Sequence, residues 1–341
     1  MHLPSRIIIS RTDSLGDVVL TLPAAGILKQ LYPSSYIYFL GRTYSKPLIK
    51  TCEYVDEFLN WDEISKLQDN DQVNYIKSLN CDTIIHVFPN KNISRLAWKS
   101  NIQCRIGTSH RLYNIFYCNY RIGLSRKTSD LHEVQLNLKL FTPLGITYNY
   151  SLDDIPKFYG LKKVSLLPSK YGNLLDKSKF NLILHPKSKG SAREWGLDNF
   201  SKLITLLPSD KYKIFISGTN DDKQLLLPFL ETNKDKITDI TGLMNLDEFL
   251  SFIASADGLV AASTGPLHIA SALGKVAIGL YAPMLPIHPG RWSPVGTNAS
   301  FLVINKNCDD CRKGGNCKCI IDITPQKVVS QLEALLCAKE F

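Results

Sequence analysis

Apolar runs of strand length alternate with stretches of helical periodicity along almost the whole chain. In the first half, the predicted strands are Ile7–Ser10, Tyr36–Leu40 and Thr83–Phe88, and the predicted helices between them are Val18–Leu31 and Asp71–Leu79. Parallel strands need a crossover connection, which a helix usually provides. This β-α-β order therefore predicts a parallel, doubly wound sheet.

The same alternation starts again in the second half and predicts a second α/β sheet. The strands predicted there are Phe180–His185, Lys213–Ser217, Ile237–Ile240, Gly258–Ala262 and Val276–Tyr281. The helices predicted there are Leu197–Leu207, Asp221–Leu230, Leu246–Ala254 and Pro266–Leu273, followed by a last helix at Gln326–Ala338.

A polar stretch of weak periodicity, Asp153–Lys179, separates the two patterns and contains Pro156 and Pro168. Polar, proline-containing segments are typical of linkers between domains. We therefore expect an N-terminal domain at residues 1–165 and a C-terminal domain at residues 170–341. The last helix would then be placed to pack back on the first domain.

The composition agrees with two globular domains, since 44% of the 341 residues are hydrophobic and 21% are charged. No run of about 18 apolar residues is present, so no membrane-spanning helix is expected. The N-terminal segment reaches Asp13 after only a short apolar run, which is unlike a secretory signal. These features predict a cytoplasmic protein.

The segment directly after the first predicted strand, Arg11–Val18, places Gly16 and Asp17 at the start of a predicted helix. Ligands bind at the carboxyl ends of the strands in a parallel sheet. A carboxylate at Asp17 can accept a proton there from a sugar hydroxyl, which is the task of the general base in glycosyl transfer. Acidic residues also favour helix N-termini for electrostatic reasons alone, so a structural role for Asp13 and Asp17 remains the alternative.

A second segment, His185–Trp195, also follows a strand and precedes a predicted helix. It is rich in hydroxyl groups and cations that suit a diphosphate: Lys187, Ser188, Lys189, Ser191 and Arg193. The spacings of the P-loop and of the GxGxxG fingerprint are both absent. A solvated basic loop is the alternative for this segment.

A third segment, Ser263–His268, lies between a predicted strand and a predicted helix. Thr264 can cap that helix and Pro266 can occupy its first turn. The helix N-terminus favours an anionic ligand, which His268 on the next turn could reach. A single histidine in such a position is, however, more often structural.

These segments fall in the order RTDSLGDVVLTLPA, HPKSKGSAREW and STGPLHIASALGK, and together they resemble glycosyltransferase family 9, the lipopolysaccharide heptosyltransferases. The segment HEVQLNL, which starts at His132, also resembles that family near the end of its first domain. The resemblance extends from about Ile7 to Leu336. It implies the GT-B architecture, with two Rossmann-like α/β domains facing a central cleft.

The resemblance also implies roles for single residues. Asp17 matches the general base of an inverting, single-displacement transfer that requires no metal or other cofactor, and the N-terminal domain takes the acceptor. The donor-binding residues that the resemblance implies are Ser188, Ser191, Arg193, Thr264, Gly265 and His268. From the chemistry of their segments we also expect donor contacts at Lys187, Lys189 and Ser263. Many members carry aspartate where this chain has Ser263, so the identity of the donor sugar stays open.

The charge distribution adds a candidate acceptor surface. No acidic residue occurs between Asp82 and Asp130, whereas this window contains Lys91, Arg95, Lys99, Arg105, Arg111, Arg121, Arg126 and Lys127. Interleaved aromatic side chains suit an anionic glycolipid at a membrane surface. They are Trp98, Tyr113, Phe116, Tyr117 and Tyr120. We expect acceptor contacts at Asp13, Arg95, Lys99, Arg105 and Arg121, at the cytoplasmic face of the inner membrane. No nucleic-acid module accompanies this window.

Nine cysteines are present, and four of them cluster at Cys308, Cys311, Cys317 and Cys319. Four thiolates in a dozen residues can hold a structural zinc ion, but the closing C-x-C differs from the usual C-x2-C knuckle. Free thiols or one redox-sensitive pair are the alternatives.

The leading hypothesis is therefore transfer of a heptose, or a related sugar, from a nucleotide-diphosphate donor such as ADP-heptose to a lipopolysaccharide core or another surface glycan. Three alternatives remain: a transferase that uses a different nucleotide-hexose, a nucleotide-sugar epimerase on the same fold, and a binding protein without turnover. Asp17 argues against the last of these, and Ser263 argues weakly for it.

Overall fold

The computed structural model describes residues 4–126, 128–146, 149–285, 287–304, 308 and 318–337. The chain divides into two compact units, Met1–Lys163 and Val164–Phe341. Each unit contains a six-stranded sheet whose described strand pairs are parallel. The predicted α/β class is confirmed.

In the first unit, the strand order is β3-β2-β1-β4-β5-β6. The strands are β1 Arg6–Ser10, β2 Tyr36–Gly41, β3 Glu57–Asn60, β4 Thr83–His86, β5 Cys104–Thr108 and β6 Tyr120–Ile122. The helices are α1 Leu15–Val19, α2 Leu22–Leu31, α3 Lys46–Thr51, α4 Trp61–Ile64, α5 Asp69–Ser78, α6 Lys91–Lys99, α7 Asn114–Tyr117 and α8 Glu133–Lys139, with 3-10 turns at Thr43–Ser45, Thr142–Leu144 and Leu152–Phe158.

In the second unit, the strand order is β12-β11-β10-β7-β8-β9. The strands are β7 Phe180–His185, β8 Tyr212–Ile216, β9 Thr238–Asp239, β10 Gly258–Ala262, β11 Val276–Tyr281 and β12 Ala299–Val303. The helices are α9 Ser169–Gly172, α10 Leu197–Leu206, α11 Asn220–Asn233, α12 Leu246–Ser255, α13 Gly265–Ala272, α14 Pro289–Trp292 and α15 Pro325–Cys337.

The central strands explain why the apolar runs were continuous rather than alternating. Ile7, Ile8 and Ile9 in β1 are all fully buried, because a parallel sheet covered on both faces buries successive side chains on opposite sides. The prediction missed β5, which lies inside the first sheet. It also missed the short strands β3, β6 and β12. These lie at sheet edges, where one side of the strand stays accessible and the sequence is less apolar.

The predicted helix Val18–Leu31 is two helices, α1 and α2, which break at Leu20 and Thr21. Pro23 lies in the first turn of α2. It has no backbone N–H and a fixed φ, which suit the start of a helix and not its interior. The break turns the chain immediately after Asp17.

The start of the predicted linker belongs to the first unit. The 3-10 turn Leu152–Phe158 buries Ile155 completely and packs on α2. The contact is close, since a Cβ atom on Gly26 would lie 2.5 Å from the carbonyl oxygen of Phe158. A side chain at this position would separate the two elements.

The last helix, α15, packs on α10 and β11 within the second unit and buries Val328 and Leu332. Among the described residues, no helix combines the length and the hydropathy that crossing a bilayer requires.

Candidate active site

Asp17 lies in the first turn of α1, just beyond the carboxyl end of β1. Its two carboxylate oxygens have different partners: Oδ1 accepts a hydrogen bond from the Arg11 guanidinium, and Oδ2 accepts one from the Ser14 hydroxyl. The side chain retains some exposure, at 17%. Asp17 is therefore oriented by the protein but still reachable by a substrate hydroxyl.

Arg11 is the centre of this cluster, although no role was predicted for it. Its side chain is 2% exposed, and its guanidinium also donates from Nε to Oδ1 of Asp13 at 2.6 Å and from Nη1 to Oδ1 of Asn137 at 3.0 Å. A buried cation requires such partners because isolated burial of a charge is very costly. One guanidinium thus fixes the positions of both predicted carboxylates.

The third acid of the cluster comes from α8, more than a hundred residues along the chain. Glu133 is buried, its Oε1 lies 3.7 Å from Nη1 of Arg11, and it accepts a hydrogen bond from Nε of Arg126 at 2.9 Å. Asn137, one turn later, donates to the Leu20 carbonyl at 3.1 Å. The segment that resembled the family near the end of its first domain therefore holds Arg11 and the corner between α1 and α2.

Burial and the charges of the cluster together shift two pKa values. Burial raises the pKa of Asp13 to about 6, against the lowering effect of Arg11 and with a further raising contribution from Asp17. Burial opposes the charge on Arg11, but Asp17, Asp13 and Glu133 together raise its pKa. Arg11 is therefore a permanent cation, and Asp13 loses its proton only around pH 6.

This shift predicts a pH dependence of stability. An unfolded Asp13 ionises near pH 4, whereas the folded one holds its proton up to about pH 6. The folded state binds more protons in that window, so the Asp13 contribution to stability falls as the pH rises from about 4 to 6. Asp13→Asn should remove this term and gain roughly 2–3 kcal/mol relative to wild type between pH 4 and pH 7. Chemical denaturation of both proteins across that range measures it, and a constant difference would contradict the assignment.

In the second unit, the loop after β7 forms a compact turn around Glu194. The backbone N–H of Ser188 donates to Oε1 of Glu194 at 3.1 Å, and Lys187 forms an ion pair with the other oxygen. Lys189 and Gly190 both have positive φ, +49° and +80°, which the tight turn requires. Glu194, to which no role was assigned, holds the loop closed.

The cations of this loop differ in availability. Lys187 is committed to Glu194, and Lys189 lies 3.8 Å from Asp221 on an exposed surface. Among the described residues, Arg193 has no hydrogen-bond or ion-pair partner, and its side chain is half-buried. Arg193 is therefore the loop cation that is free to bind an anion.

The third segment joins the second at the carboxyl ends of neighbouring strands. β7 and β10 pair in register, and the Ser191 hydroxyl lies 3.4 Å from the Ser263 carbonyl oxygen as donor. Thr264 precedes α13 as its N-cap residue, but its buried Oγ1 has no hydrogen-bond partner among the described residues. A buried hydroxyl without a partner costs roughly 1–3 kcal/mol, which a ligand or water at the helix N-terminus would recover. His268 is buried one turn further on.

The structure does not bring Lys99 and Arg105 to Asp17. Lys99 is the last residue of α6 and Arg105 the second residue of β5, which are positions at the amino ends of the strands, whereas Asp17 follows the carboxyl end of β1. In addition, Arg95 and Lys99 form ion pairs with Asp69 at 2.8 and 3.1 Å. The carboxylate that partly neutralises the window thus comes from outside it.

The other two predicted cations contact backbone. Arg105 donates from Nε to the Tyr117 carbonyl at 2.7 Å, and Arg121 donates to the Cys118 carbonyl at 3.2 Å. These bonds fix the strand and helix ends next to α7. Of the predicted acceptor residues, the structure places Asp13 beside Asp17.

The structure describes two of the four clustered cysteines. Cys311 and Cys317 lie outside the described residues, whereas Cys308 is half-buried and Cys319 is buried. Within the part of the chain that the structure describes, no group of three or more potential metal ligands occurs. The zinc hypothesis stays untested.

Known proteins of one family resemble this chain. A family model described as glycosyltransferase family 9 (heptosyltransferase) matches residues 77–319. A Haemophilus influenzae protein that is named a glycosyltransferase only provisionally is 27% identical over 298 residues, which are 85% of this chain and 86% of that protein. Escherichia coli lipopolysaccharide heptosyltransferase 2 is 28% identical over 159 residues. That alignment covers 44% of this chain and about half, 45%, of that protein.

Among solved structures, a family 9 glycosyltransferase from Veillonella parvula has a TM-score of 0.81 at 23% identity and covers 99% of both chains. This likeness confirms the predicted fold class, the GT-B type with two Rossmann-like α/β domains.

Proposed function

Because this chain belongs to glycosyltransferase family 9, the heptosyltransferase family, we propose that it transfers a heptose, or a closely related sugar, from ADP-heptose to a lipopolysaccharide core or another surface glycan. The observation that carries the proposal is the cluster at the end of β1. There Asp17 is oriented by Arg11 and Ser14 and keeps an accessible edge. Such a carboxylate suits a general base.

The proposed chemistry is a single displacement with inversion. Asp17 takes the proton from an acceptor hydroxyl as that oxygen forms its bond to the anomeric carbon of the donor sugar. The bond from the anomeric carbon to the diphosphate breaks at the same time, and its electron pair leaves with the nucleoside diphosphate. The proton ends on Asp17 and the new negative charge on the leaving group.

The leaving diphosphate needs positive charge and hydrogen-bond donors, since charge develops on it as the bond breaks. The second unit offers the Arg193 guanidinium, the Ser191 hydroxyl and the N-terminus of α13 with the unpartnered Thr264 hydroxyl. We propose these groups as the diphosphate site. No metal or other cofactor is part of this proposal.

The donor proposal is tested by thermal unfolding in the presence of ADP-heptose, ADP-glucose and UDP- and GDP-hexoses. A ligand at 100 times its Kd stabilises the folded state by about 2.7 kcal/mol, so we expect a clear rise in Tm with ADP-heptose and a smaller one with the others. A larger rise with a different nucleotide-hexose would instead favour the alternative that Ser263 suggests. Conversion of the donor without any acceptor would point to an epimerase.

We further propose that the protein acts at the cytoplasmic face of the inner membrane, where a glycolipid acceptor is assembled, and that nucleic acid is not a partner. The described residues between 83 and 129 contain no acid, and this basic surface suits a phosphorylated glycolipid. The ion pairs of Arg95 and Lys99 with Asp69 reduce its charge without abolishing it.

A further inference from the structure

Several large apolar side chains in the first unit are exposed together around α7. Leu112 is 82% exposed, Phe116 75% and Ile115 53%. Trp98 at the end of α6 and Tyr120 in β6 are each about half exposed. We call these five residues the apolar face. Large exposed apolar side chains grouped in one short segment, as at Leu112, Ile115 and Phe116, indicate an interaction surface more often than an ordinary protein exterior.

The fold holds this face in a defined position. Asn114, the first residue of α7, is fully buried, donates from Nδ2 to the Thr108 carbonyl at 2.8 Å and accepts from the Ser94 hydroxyl at 3.4 Å. The rings of Trp98 and Tyr117 pack with centroids 5.9 Å apart. The exposed side chains therefore stand on an anchored turn, and their exposure is a property of the folded protein.

Exposed cations lie on α6, on β6 and directly before α7. The exposed ones are Lys91, Arg95 and Lys99 on α6, Arg111 before α7 and Arg121 in β6. The Arg111 guanidinium has no ion-pair or hydrogen-bond partner among the described residues. The structure records Asp69 as the acid that binds two of the others. The part of the fold that carries the exposed apolar side chains thus also carries exposed cations.

This combination selects one class of partner. A second copy of the chain that met this face through a two-fold axis would bring the same cations into opposition, which is unfavourable. A neutral apolar partner would leave the cations unused. An anionic bilayer satisfies both features, because apolar side chains enter the boundary between headgroups and acyl chains while Lys and Arg remain near the phosphates.

We propose that the apolar face seats the protein on an anionic lipid bilayer, with Leu112, Ile115 and Phe116 inserted into the interfacial region. This inference rests on the proposed function in one respect. If the acceptor is a glycolipid, it lies in the same bilayer that the apolar face would bind. It also gives a role to Lys99, which lies at the opposite edge of the sheet from Asp17.

Vesicle flotation tests the proposal with the full chain. Wild type is compared with L112S/F116S on vesicles of phosphatidylcholine alone and of phosphatidylcholine with phosphatidylglycerol. The matched control is L225S/L227S, which removes two exposed leucines from α11 in the second unit. We expect the partition coefficient for anionic vesicles to fall about tenfold or more in L112S/F116S and to stay unchanged in the control. High salt should weaken wild-type binding by screening the cations.

Insertion is measured separately by placing tryptophan at the tip, as Phe116→Trp in a Trp98→Phe background, and adding lipids with brominated acyl chains. Quenching of the new tryptophan is expected. Absence of quenching, absence of wild-type binding, or equal binding by both double variants would each overturn the proposal. So would a concentration-dependent dimer that is lost in L112S/F116S, because the face would then bind a second copy.

A soluble assay separates this proposal from the proposed function. L112S/F116S should transfer sugar to a deacylated, water-soluble acceptor at the wild-type rate, since no step of the chemistry uses these side chains. If wild type binds vesicles but transfers nothing to either form of acceptor, the proposed function fails and the membrane surface stands. If the variant loses the soluble reaction as well, the face serves catalysis and the membrane proposal fails.

Discussion

Asp17→Asn is expected to lower turnover by about 10²–10⁴-fold, the usual contribution of a general base. The asparagine can keep the geometry, because its amide oxygen accepts from Arg11 as Oδ1 of Asp17 does, and its amide nitrogen faces the Ser14 hydroxyl. What it lacks is a site for the acceptor proton. The donor groups that we propose lie in the second unit, so the donor Kd should stay within about twofold, as measured by calorimetry alongside kcat.

The control for this prediction is Asp13→Asn. Asp13 accepts a hydrogen bond from Nε of the same guanidinium, so this substitution also removes a carboxylate beside Arg11 but leaves the proposed base in place. We expect a much smaller loss of kcat than for Asp17→Asn. Near-normal turnover in Asp17→Asn together with a large loss in Asp13→Asn would transfer the role of base to Asp13.

The position of Asp17 could be predicted from the sequence because it depends on local order: a buried strand, a glycine, an acid and a helix. The cluster that orients Asp17 could not. Arg11 meets Glu133 and Asn137 only through the fold, and an arginine at the end of a strand carries no local sign of its partners. The one available signal was HEVQLNL, which resembled the family but suggested no partner.

Charge was the least predictable feature. The window from 83 to 129 lacks acids in sequence, yet Asp69 on the neighbouring helix α5 pairs with Arg95 and Lys99. Lys187 likewise looked like a diphosphate ligand but is engaged by Glu194, seven residues later. Composition counts charges along the chain, whereas the field at a site depends on side chains that packing brings together. The strands and helices were better predicted since hydrophobic periodicity is local.

Because Lys187 is paired with Glu194, Arg193 is the cation of this loop whose substitution should lower turnover strongly. Arg193 is the cation of its loop that has no partner among the described residues, and Glu194 next to it holds the loop in shape through Ser188 and Lys187. Negative charge grows on the diphosphate as the glycosidic bond breaks. A fixed guanidinium therefore stabilises the transition state more than the bound donor.

Arg193→Ala should accordingly lower kcat by about 10²–10³-fold, the range seen when one preorganised donor is removed from a developing charge, and should raise the donor KM by a smaller factor. Arg193→Lys keeps the positive charge but cannot donate two parallel hydrogen bonds, so it should recover part of the lost kcat. Lys202→Ala, which removes an exposed cation from α10 outside the loop, should leave both constants unchanged and controls for net charge.

Steady-state kinetics with varied donor concentration separates the effect on kcat from the effect on the donor KM. If Arg193→Ala raises KM and leaves kcat intact, the guanidinium binds ground state and transition state equally. In that case the stabilisation of the leaving group would have to come from Thr264 and the N-terminus of α13.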